Sequence, residues 1–206
     1  ALNRLITAGT IQPLPIYVDS PLAVNLTEVF RRHPDCYDEE ALAFDTLHGD
    51  PFGFEMLTMV ESVEESKALN RLAGPAVIIS ASGMCEAGRI VHHLRNNVED
   101  TNISVVIVGW PAPHTLGRRL VERRSQVRIF GVERDLNAEV KVLNAFSAHA
   151  DRDELLWWAG ACGRQVRRFF CVHGDPEPCR ALADALAEQG QQALVPREGE
   201  THPLDY

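Results

Sequence analysis

Short apolar runs alternate with amphipathic helical patterns along the whole 206-residue chain. Most of these runs are uniformly apolar, as parallel strands covered on both faces are. The predicted strands are residues 16–18, 76–80, 103–108, 127–130, 139–143, 168–172 and 193–195. Because several of them run directly into a helix start, the pattern predicts strand–turn–helix units. It therefore predicts an α/β fold rather than a β-sandwich or a helical bundle.

Three turns carry the residues that begin helices, namely a capping side chain followed by proline or by a capping-box acid. They are Ser20 with Pro21, Asp151 with Glu154, and Asp175 with Pro176. The sequence also predicts a helix from about Met84, with apolar residues on one face, and a helix from Pro176 that ends at Gly190. Both helices are expected to pack on a sheet.

The acidic residues are concentrated in one block of the chain. Between His33 and Ser66 there are ten Asp or Glu residues and no Lys or Arg, so the rest of this chain of net charge −9 carries +1. The block contains proline and glycine and has weak periodicity, so we expect helices with irregular loops. A net charge of −9 argues against a nucleic-acid binder, but the charge is not spread evenly.

Residues 118–128 carry the opposite charge, with five Arg and one Glu. Arg118 and its neighbours could bind phosphates in bidentate fashion, or they could be the solvated face of a helix. The sequence supports both interpretations equally. The composition changes near Ser125, which we interpret as the boundary between two structural units.

Five cysteines without a C-x-x-C pair argue against a disulfide framework and against a cysteine zinc site. The longest apolar runs are far shorter than the roughly 20 residues of a membrane span, and no signal sequence opens the chain. We therefore expect a protein of the reducing cytoplasm that does not enter a membrane.

Ligands of α/β proteins bind where strands end and helices begin. The turn at residues 80–84 offers the hydroxyl groups of Ser80 and Ser82 and the backbone N–H groups of Gly83 and Met84. Placed at a predicted helix N-terminus, these groups would suit an anion. The same turn could also be an ordinary helix cap.

His149 and His173 lie just before predicted helix starts, and each is followed within two residues by an acid. A neutral imidazole in such a turn can bind zinc or transfer a proton near neutral pH. A histidine that only bridges a loop is the commoner case. His92 and His93 fall in mid-helix, where one should face solvent and the other should pack.

Five segments occur in order over nearly the whole chain. They are residues 15–23 (PIYVDSPLA), 79–84 (ISASGM), 115–118 (TLGR), 146–151 (FSAHAD) and 172–175 (VHGD). Together they resemble the β-CASP branch of the metallo-β-lactamase-fold nucleases. That family includes RNase J and the endonuclease that cleaves pre-mRNA 3′ ends.

The resemblance implies a β-CASP domain at residues 13–124, with a mostly parallel sheet flanked by helices. Residues 125–206 would be the C-terminal part of a metallo-β-lactamase αββα fold. In the family, H-x-H-x-D-H and most other metal ligands precede the stretch that looks like residue 1, which explains their absence here. The chain is thus expected to be part of a zinc-dependent RNA-processing nuclease, either an endonuclease or an exonuclease, and to be inactive alone.

The resemblance also assigns roles to single residues. His149 matches the motif B histidine, which assists proton transfer to the leaving oxygen, and His173 matches the motif C histidine, a ligand to one of two zinc ions. The positions expected to face RNA are Ser80, Ser82, Gly83, Met84 and Arg118. Two zinc ions are expected in the full-length parent and none in this fragment alone.

Two alternatives stay open. The family contains inactive members that assemble with active ones, so the chain could belong to a non-catalytic RNA-binding or scaffold paralogue, although His149 and His173 favour the enzyme. Outside the family, a flavodoxin-like or nucleotide-binding module could use the Ser/Gly turn. Single-stranded RNA is the expected partner. A homodimer, a swapped arrangement or a companion chain is also expected, because residues 125–206 alone should leave a large apolar surface uncovered.

Overall fold

A computed structural model of the chain describes residues 2–146, 149–162 and 166–203. The helices are α1 (Leu2–Thr7), α2 (Pro21–Arg32), α3 (Glu39–His48), α4 (Val63–Ala68), α5 (Arg89–Asn97), α6 (Leu116–Val121), α7 (Arg152–Ala161) and α8 (Pro176–Glu188). The strands are β1 (Ile16–Asp19), β2 (Leu57–Met59), β3 (Val77–Ser80), β4 (Ser104–Ile107), β5 (Gln126–Ile129), β6 (Val132–Asp135), β7 (Glu139–Val142), β8 (Phe169–Phe170) and β9 (Ala193–Leu194). The chain divides into two compact units, residues 1–146 and 147–206.

The first sheet of unit 1 has the strand order β2-β1-β3, and all its strands are parallel. The central strand β1 contains Ile16, which is fully buried. In the register of β1 and β3, Asp19 lies opposite Ser80. Because both strands end at these residues, the turns that follow them lie side by side, which is where α/β sheets bind ligands.

The rest of unit 1 is built around the parallel pair β4 and β7 and the antiparallel hairpin β5–β6. Helices α5 and α6 pack on these strands and bury one apolar core. Its buried members are Cys85, Val91, Leu94, Val98, Ile107, Leu116, Leu120, Val127, Ile129 and Val140. Helix α5 buries Val91, His93 and Leu94, so its inward face also carries a histidine.

Unit 2 contains the parallel pair β8 and β9 together with helices α7 and α8. The Asp151 side chain accepts from Glu154 N and the Glu154 side chain accepts from Asp151 N, so the predicted capping box at the start of α7 is confirmed. The buried core is Leu156, Ala159, Cys171, Cys179, Ala183, Ala185 and Leu186. Trp157 and Trp158 on α7 are 75% and 58% exposed, so this helix leaves an apolar surface uncovered.

The α/β class and the seven strands predicted from the sequence are confirmed, with ends that differ by no more than two residues. Two strands were missed. Strand β2 has three residues and lies in the acidic block. Strand β6 has the sequence VERD, and its charged residues do not give the apolar pattern of a strand, although it forms a hairpin strand with one exposed face. The division of β-CASP and metallo-β-lactamase segments at residues 124 and 125 stays a prediction.

The predicted helix start at Met84 is wrong. Helix α5 begins at Arg89 after Gly88, and residues 81–88 form a loop. Cys85 has φ of +57° and Gly88 has φ of +83°, and a right-handed helix cannot pass through residues in that region. The turn at residues 80–84 therefore does not lie at a helix N-terminus.

None of the described helices combines the length and the apolar character that crossing a bilayer requires.

Candidate nucleic-acid interface

A cleft of about 450 Å³ opens at the carboxyl ends of β1 and β3. It is lined by Asp19, Ser20, Pro21, Leu22, Ala81, Gly88, Arg89 and His92. Helix α2 begins at this cleft, where the Ser20 side chain accepts a hydrogen bond from Ala23 N and Pro21 occupies the first turn. The helix start predicted from Ser20 and Pro21 is thus confirmed, and a strand end, a helix start and two basic side chains meet in one place.

Asp19 lies beneath this cleft with no solvent exposure, and three side chains bind its carboxylate. Ser66 Oγ donates to Oδ2 over 2.6 Å, and Arg89 Nη1 donates to Oδ1 over 2.6 Å. His93 Nε2 lies 2.6 Å from Oδ2. These partners come from α4 and α5, so one carboxylate joins the central strand to two helices.

Burial alone would raise the pKa of Asp19. The hydrogen bonds from Ser66, His93 and Arg89, together with the Arg89 charge, outweigh burial and hold the pKa of this carboxyl below its ordinary value. The side chain therefore stays ionised at neutral pH.

The partners of Asp19 are themselves held by further contacts. Arg89 also donates to the carbonyl oxygens of Val60 and Glu61, over 3.1 and 2.7 Å. His93 Nδ1 lies 3.3 Å from Asn70 Oδ1. The floor of the cleft is thus a continuous polar network rather than a set of isolated pairs.

The loop of residues 81–88, which we name the Ser/Gly loop, starts from this floor. Ser80 Oγ donates to the carbonyl oxygen of Asp19 over 3.0 Å. Ser82 Oγ donates to the carbonyl oxygen of Ala87 over 3.4 Å, inside the loop. Gly83 and Met84 are exposed. The structure therefore places the four predicted RNA-facing residues of this turn on one connected segment.

The far side of the Ser/Gly loop contacts the start of α6. Gly117 N donates to the Met84 carbonyl oxygen over 2.9 Å, and Leu116 N donates to the Glu86 carboxylate. A Cβ atom on Gly117 would lie 3.0 Å from the carbonyl oxygens of both Gly83 and Met84. Because the backbones approach so closely, the loop and the helix that carries Arg118 are held as one surface.

The arginines of residues 118–128 are mostly paired. Arg118 and Arg124 bind Glu122 over 3.1 and 2.9 Å, and Arg128 binds Glu133 over 2.9 Å. Arg123 instead donates to the Val140 carbonyl oxygen over 3.2 Å. Exposed ion pairs of this kind are weak, so Arg118 can exchange Glu122 for a phosphate at little cost. A phosphate-binding role for Arg118 stays a prediction.

His149 and His173 both belong to unit 2 and are exposed. His149 precedes Asp151, the N-cap of α7, and His173 follows β8 with φ of +62° and precedes α8. Ser147 and Ala148, which precede His149 in the FSAHAD segment, lie outside the described residues. The roles of the two histidines stay predictions.

Whether the described residues form a zinc site depends on how their His, Cys, Asp and Glu side chains are grouped. Among residues 2–146, 149–162 and 166–203, no three His, Cys, Asp or Glu side chains are grouped closely enough to hold a metal ion. A protein zinc site needs at least three ligands, and His173 supplies one imidazole. The described residues therefore do not form a zinc site by themselves.

The network around Asp19 was not predicted from the sequence. One of His92 and His93 was expected to pack, and His93 does, with 6% exposure. Its partner Asp19 is 74 positions away, and no local pattern links the two residues. The sequence did show an acid, Asp19, at the end of an apolar strand. A carboxylate buried there needs hydrogen-bonding or charged partners, so this position could have prompted a search for them.

Comparison with known proteins identifies two family domains in this chain. Residues 1–120 match the Beta-Casp domain, and residues 133–196 match the Zn-dependent metallo-hydrolase RNA specificity domain. The first match alone covers more than half of the chain. A flavodoxin-like module is thereby excluded.

Similar proteins include Ribonuclease TTHA0252 of Thermus thermophilus, which is 40% identical over 190 residues, 92% of this chain and 43% of the relative. Transcription termination factor FttA of Methanosarcina mazei is 28% identical over 191 residues, 90% of this chain and 30% of the relative. The same factor of Pyrococcus horikoshii is 28% identical over 179 residues, 84% of this chain and 27% of the relative. The chain thus spans less than half the length of these relatives. It belongs to the β-CASP family of metallo-β-lactamase-fold RNA nucleases.

Proposed function

We propose that this chain is part of a zinc-dependent RNA-processing nuclease that hydrolyses phosphodiester bonds. The observation that carries this proposal is the ordered pair of family matches, a Beta-Casp domain followed by an RNA specificity domain. The similarity to a protein named as a ribonuclease supports the same chemistry. Because the chain spans less than half of that relative, we propose that it is inactive by itself.

Within this proposal, unit 1 binds single-stranded RNA. The cleft, the Ser/Gly loop and the start of α6 form a surface with exposed backbone at Gly83 and exchangeable charge at Arg118. Such groups contact the sugar-phosphate backbone and carry little base preference. Binding should therefore depend on salt more than on sequence.

Within the same proposal, unit 2 supplies His149 and His173. We assign His149 to proton transfer at the leaving oxygen and His173 to one zinc ion, as the resemblance implies. The remaining ligands would come from residues other than those described here, since the described side chains form no three-ligand cluster. Location in the reducing cytoplasm is consistent with five free cysteines. A homodimer that covers the exposed tryptophans of α7 is part of the proposal.

The experiment compares His149→Ala and His173→Ala in the longer protein to which this chain is proposed to belong. We expect His173→Ala to lower the zinc content and abolish cleavage of single-stranded RNA. We expect His149→Ala to keep the zinc content and slow cleavage by about 10²- to 10⁴-fold. His33→Ala, which removes an exposed histidine of unit 1, is the matched control and should change neither quantity. Unchanged cleavage in both site variants would contradict the assignment.

A second candidate is a non-catalytic RNA-binding role in transcription termination. Several relatives are named Transcription termination factor FttA, which favours the termination role in this candidate. Retained His149 and His173 argue for the enzyme. A longer protein that binds single-stranded RNA without cleaving it, in the presence of zinc, would favour the second candidate.

A further inference from the structure

Two exposed rings, Phe130 and His92, contact each other on the surface of unit 1. Their centroids are 4.9 Å apart, and their planes meet at 44°. Phe130 is 56% exposed, and His92 is exposed as well. Burial therefore does not account for the phenyl ring, which presents a free aromatic surface to solvent.

The backbone at Phe130 makes an exposed phenyl ring costly. Phe130 has φ of +48° and Gly131 has φ of +79°, and together they form the two-residue turn between β5 and β6. Turns with two positive φ angles favour Asn, Asp or Gly, whereas a bulky residue is an outlier there. The hairpin alone would be served better by a smaller residue, and this points to a role for the ring itself.

Phe130 also borders a second cleft, of about 330 Å³. The polar and charged residues that line it are Glu86, His114, Arg119 and Arg128. Glu86 binds Leu116 N and Arg128 binds Glu133, so both have partners. Among the described residues, no carboxylate lies within ion-pair distance of the Arg119 guanidinium. Arg119 is therefore the side chain in this cleft with charge to offer a ligand.

The ring pair connects the two clefts. His92 lines the cleft at the ends of β1 and β3, whereas Phe130 lines the second cleft. The Ser/Gly loop lies along both, because Ala81 and Gly88 line the first cleft and Cys85 and Glu86 line the second. A flexible strand that follows this loop would pass over the two rings.

We propose that Phe130, supported by His92, is a stacking site for a nucleobase of single-stranded RNA, with Arg119 beside it to bind the adjoining phosphate. Exposed aromatic rings flanked by arginine are the usual means of binding unpaired bases, and stacking is tolerant of base identity. This inference rests on the proposed RNA-binding function of unit 1 and deepens it. It assigns base contact to Phe130, in addition to the backbone contact assigned to the Ser/Gly loop and Arg118.

The test measures the affinity of the 206-residue chain for a fluorescent oligoadenylate of about 12 nucleotides. Phe130→Asn removes the ring with a residue that the turn favours, so the hairpin should stay folded. We expect this variant to bind about 5- to 150-fold more weakly, the range for one lost base stack. Phe130→Tyr should bind like the unchanged chain. Phe30→Ala, which removes a 53% exposed ring near the C-terminal end of α2 in unit 1, is the matched control and should leave affinity unchanged.

A strand of the same length without bases separates stacking from charge. We expect Phe130→Asn and the unchanged chain to bind this abasic strand equally. An equal loss on both strands, or no loss on oligoadenylate, would overturn the stacking site while RNA binding by the chain stands. An unchanged chain that binds neither strand would contradict the proposed RNA-binding function as well.

Discussion

Asp19 keeps a negative charge at a position without solvent exposure. Moving a carboxylate out of water is costly unless hydrogen bonds and an opposite charge replace the water. Ser66, Arg89 and His93 supply these replacements, and all three contacts are 2.6 Å long. The site can hold the charge because all three partners are present together.

We expect Asp19→Asn to lower the free energy of unfolding by about 3 kcal/mol, because Arg89 and His93 would stay enclosed without their carboxylate. Urea unfolding at pH 7 measures the change. Glu122→Gln removes two exposed ion pairs, with Arg118 and Arg124, and it should lower the free energy of unfolding far less, because exposed ion pairs contribute little. Equal losses in the two variants would contradict the importance assigned to Asp19.

The pH dependence of stability follows from the lowered pKa of Asp19. A carboxyl whose pKa is lower in the folded state contributes stability above its unfolded pKa and loses it as the pH falls through the folded pKa. The difference in unfolding free energy between the unchanged chain and Asp19→Asn should thus shrink as the pH falls below about 4. Unfolding curves at several pH values test this, and a difference that grows toward low pH would refute it.

At the residue scale, the sequence predicted whether a side chain is buried better than it predicted which residues that side chain contacts. Helical periodicity was sufficient to predict that one of His92 and His93 packs. The contact of His93 with Asp19 depends on where α5 crosses the sheet, and periodicity carries no such information. The contact of the His92 ring with the Phe130 ring was missed for the same reason.

Helix α6 and the Ser/Gly loop are held together at Gly117, where a Cβ atom would lie 3.0 Å from two carbonyl oxygens. We expect Gly117→Ala to lower the free energy of unfolding by about 1 to 3 kcal/mol, because backbone must shift to make room. Gly160→Ala on α7 is the matched control, since its Cβ would meet no atom within 4 Å. It should stabilise by about 0.5 to 1 kcal/mol. Urea unfolding measures both, and stabilisation by both changes would contradict the close approach.

At the element scale, strands with apolar residues on both faces could be predicted, whereas β2 and β6 could not. Strand β2 lies in the acidic block, which was expected to form helices with irregular loops, and the charged hairpin strand β6 lacks the apolar run that the prediction used. Helix starts were predicted where a capping side chain stood next to proline or a capping-box acid, as at Ser20 and Asp151. The start of α5 was predicted wrongly, because the apolar periodicity of this helix extends into the Ser/Gly loop. Positive φ angles in that loop prevent a helix there.

For the molecule as a whole, the proposed zinc chemistry needs more ligands than the described residues group together. We expect the isolated 206-residue chain to bind zinc no more tightly than a surface histidine does. Dialysis against zinc followed by elemental analysis measures the metal that is retained. His173→Ala should retain the same amount as the unchanged chain. Stoichiometric zinc on the unchanged chain would refute this prediction.

The central claim is that unit 1 binds the backbone of single-stranded RNA, and affinity at two salt concentrations tests it most directly. We expect the chain to bind single-stranded RNA with an affinity that falls as salt rises. Arg118→Ala should weaken binding about equally across RNA sequences and lower the salt slope by about 1. Arg152→Ala, which removes an exposed arginine of unit 2, should change neither quantity. Absence of binding, or an unchanged affinity and slope in Arg118→Ala, would contradict the account.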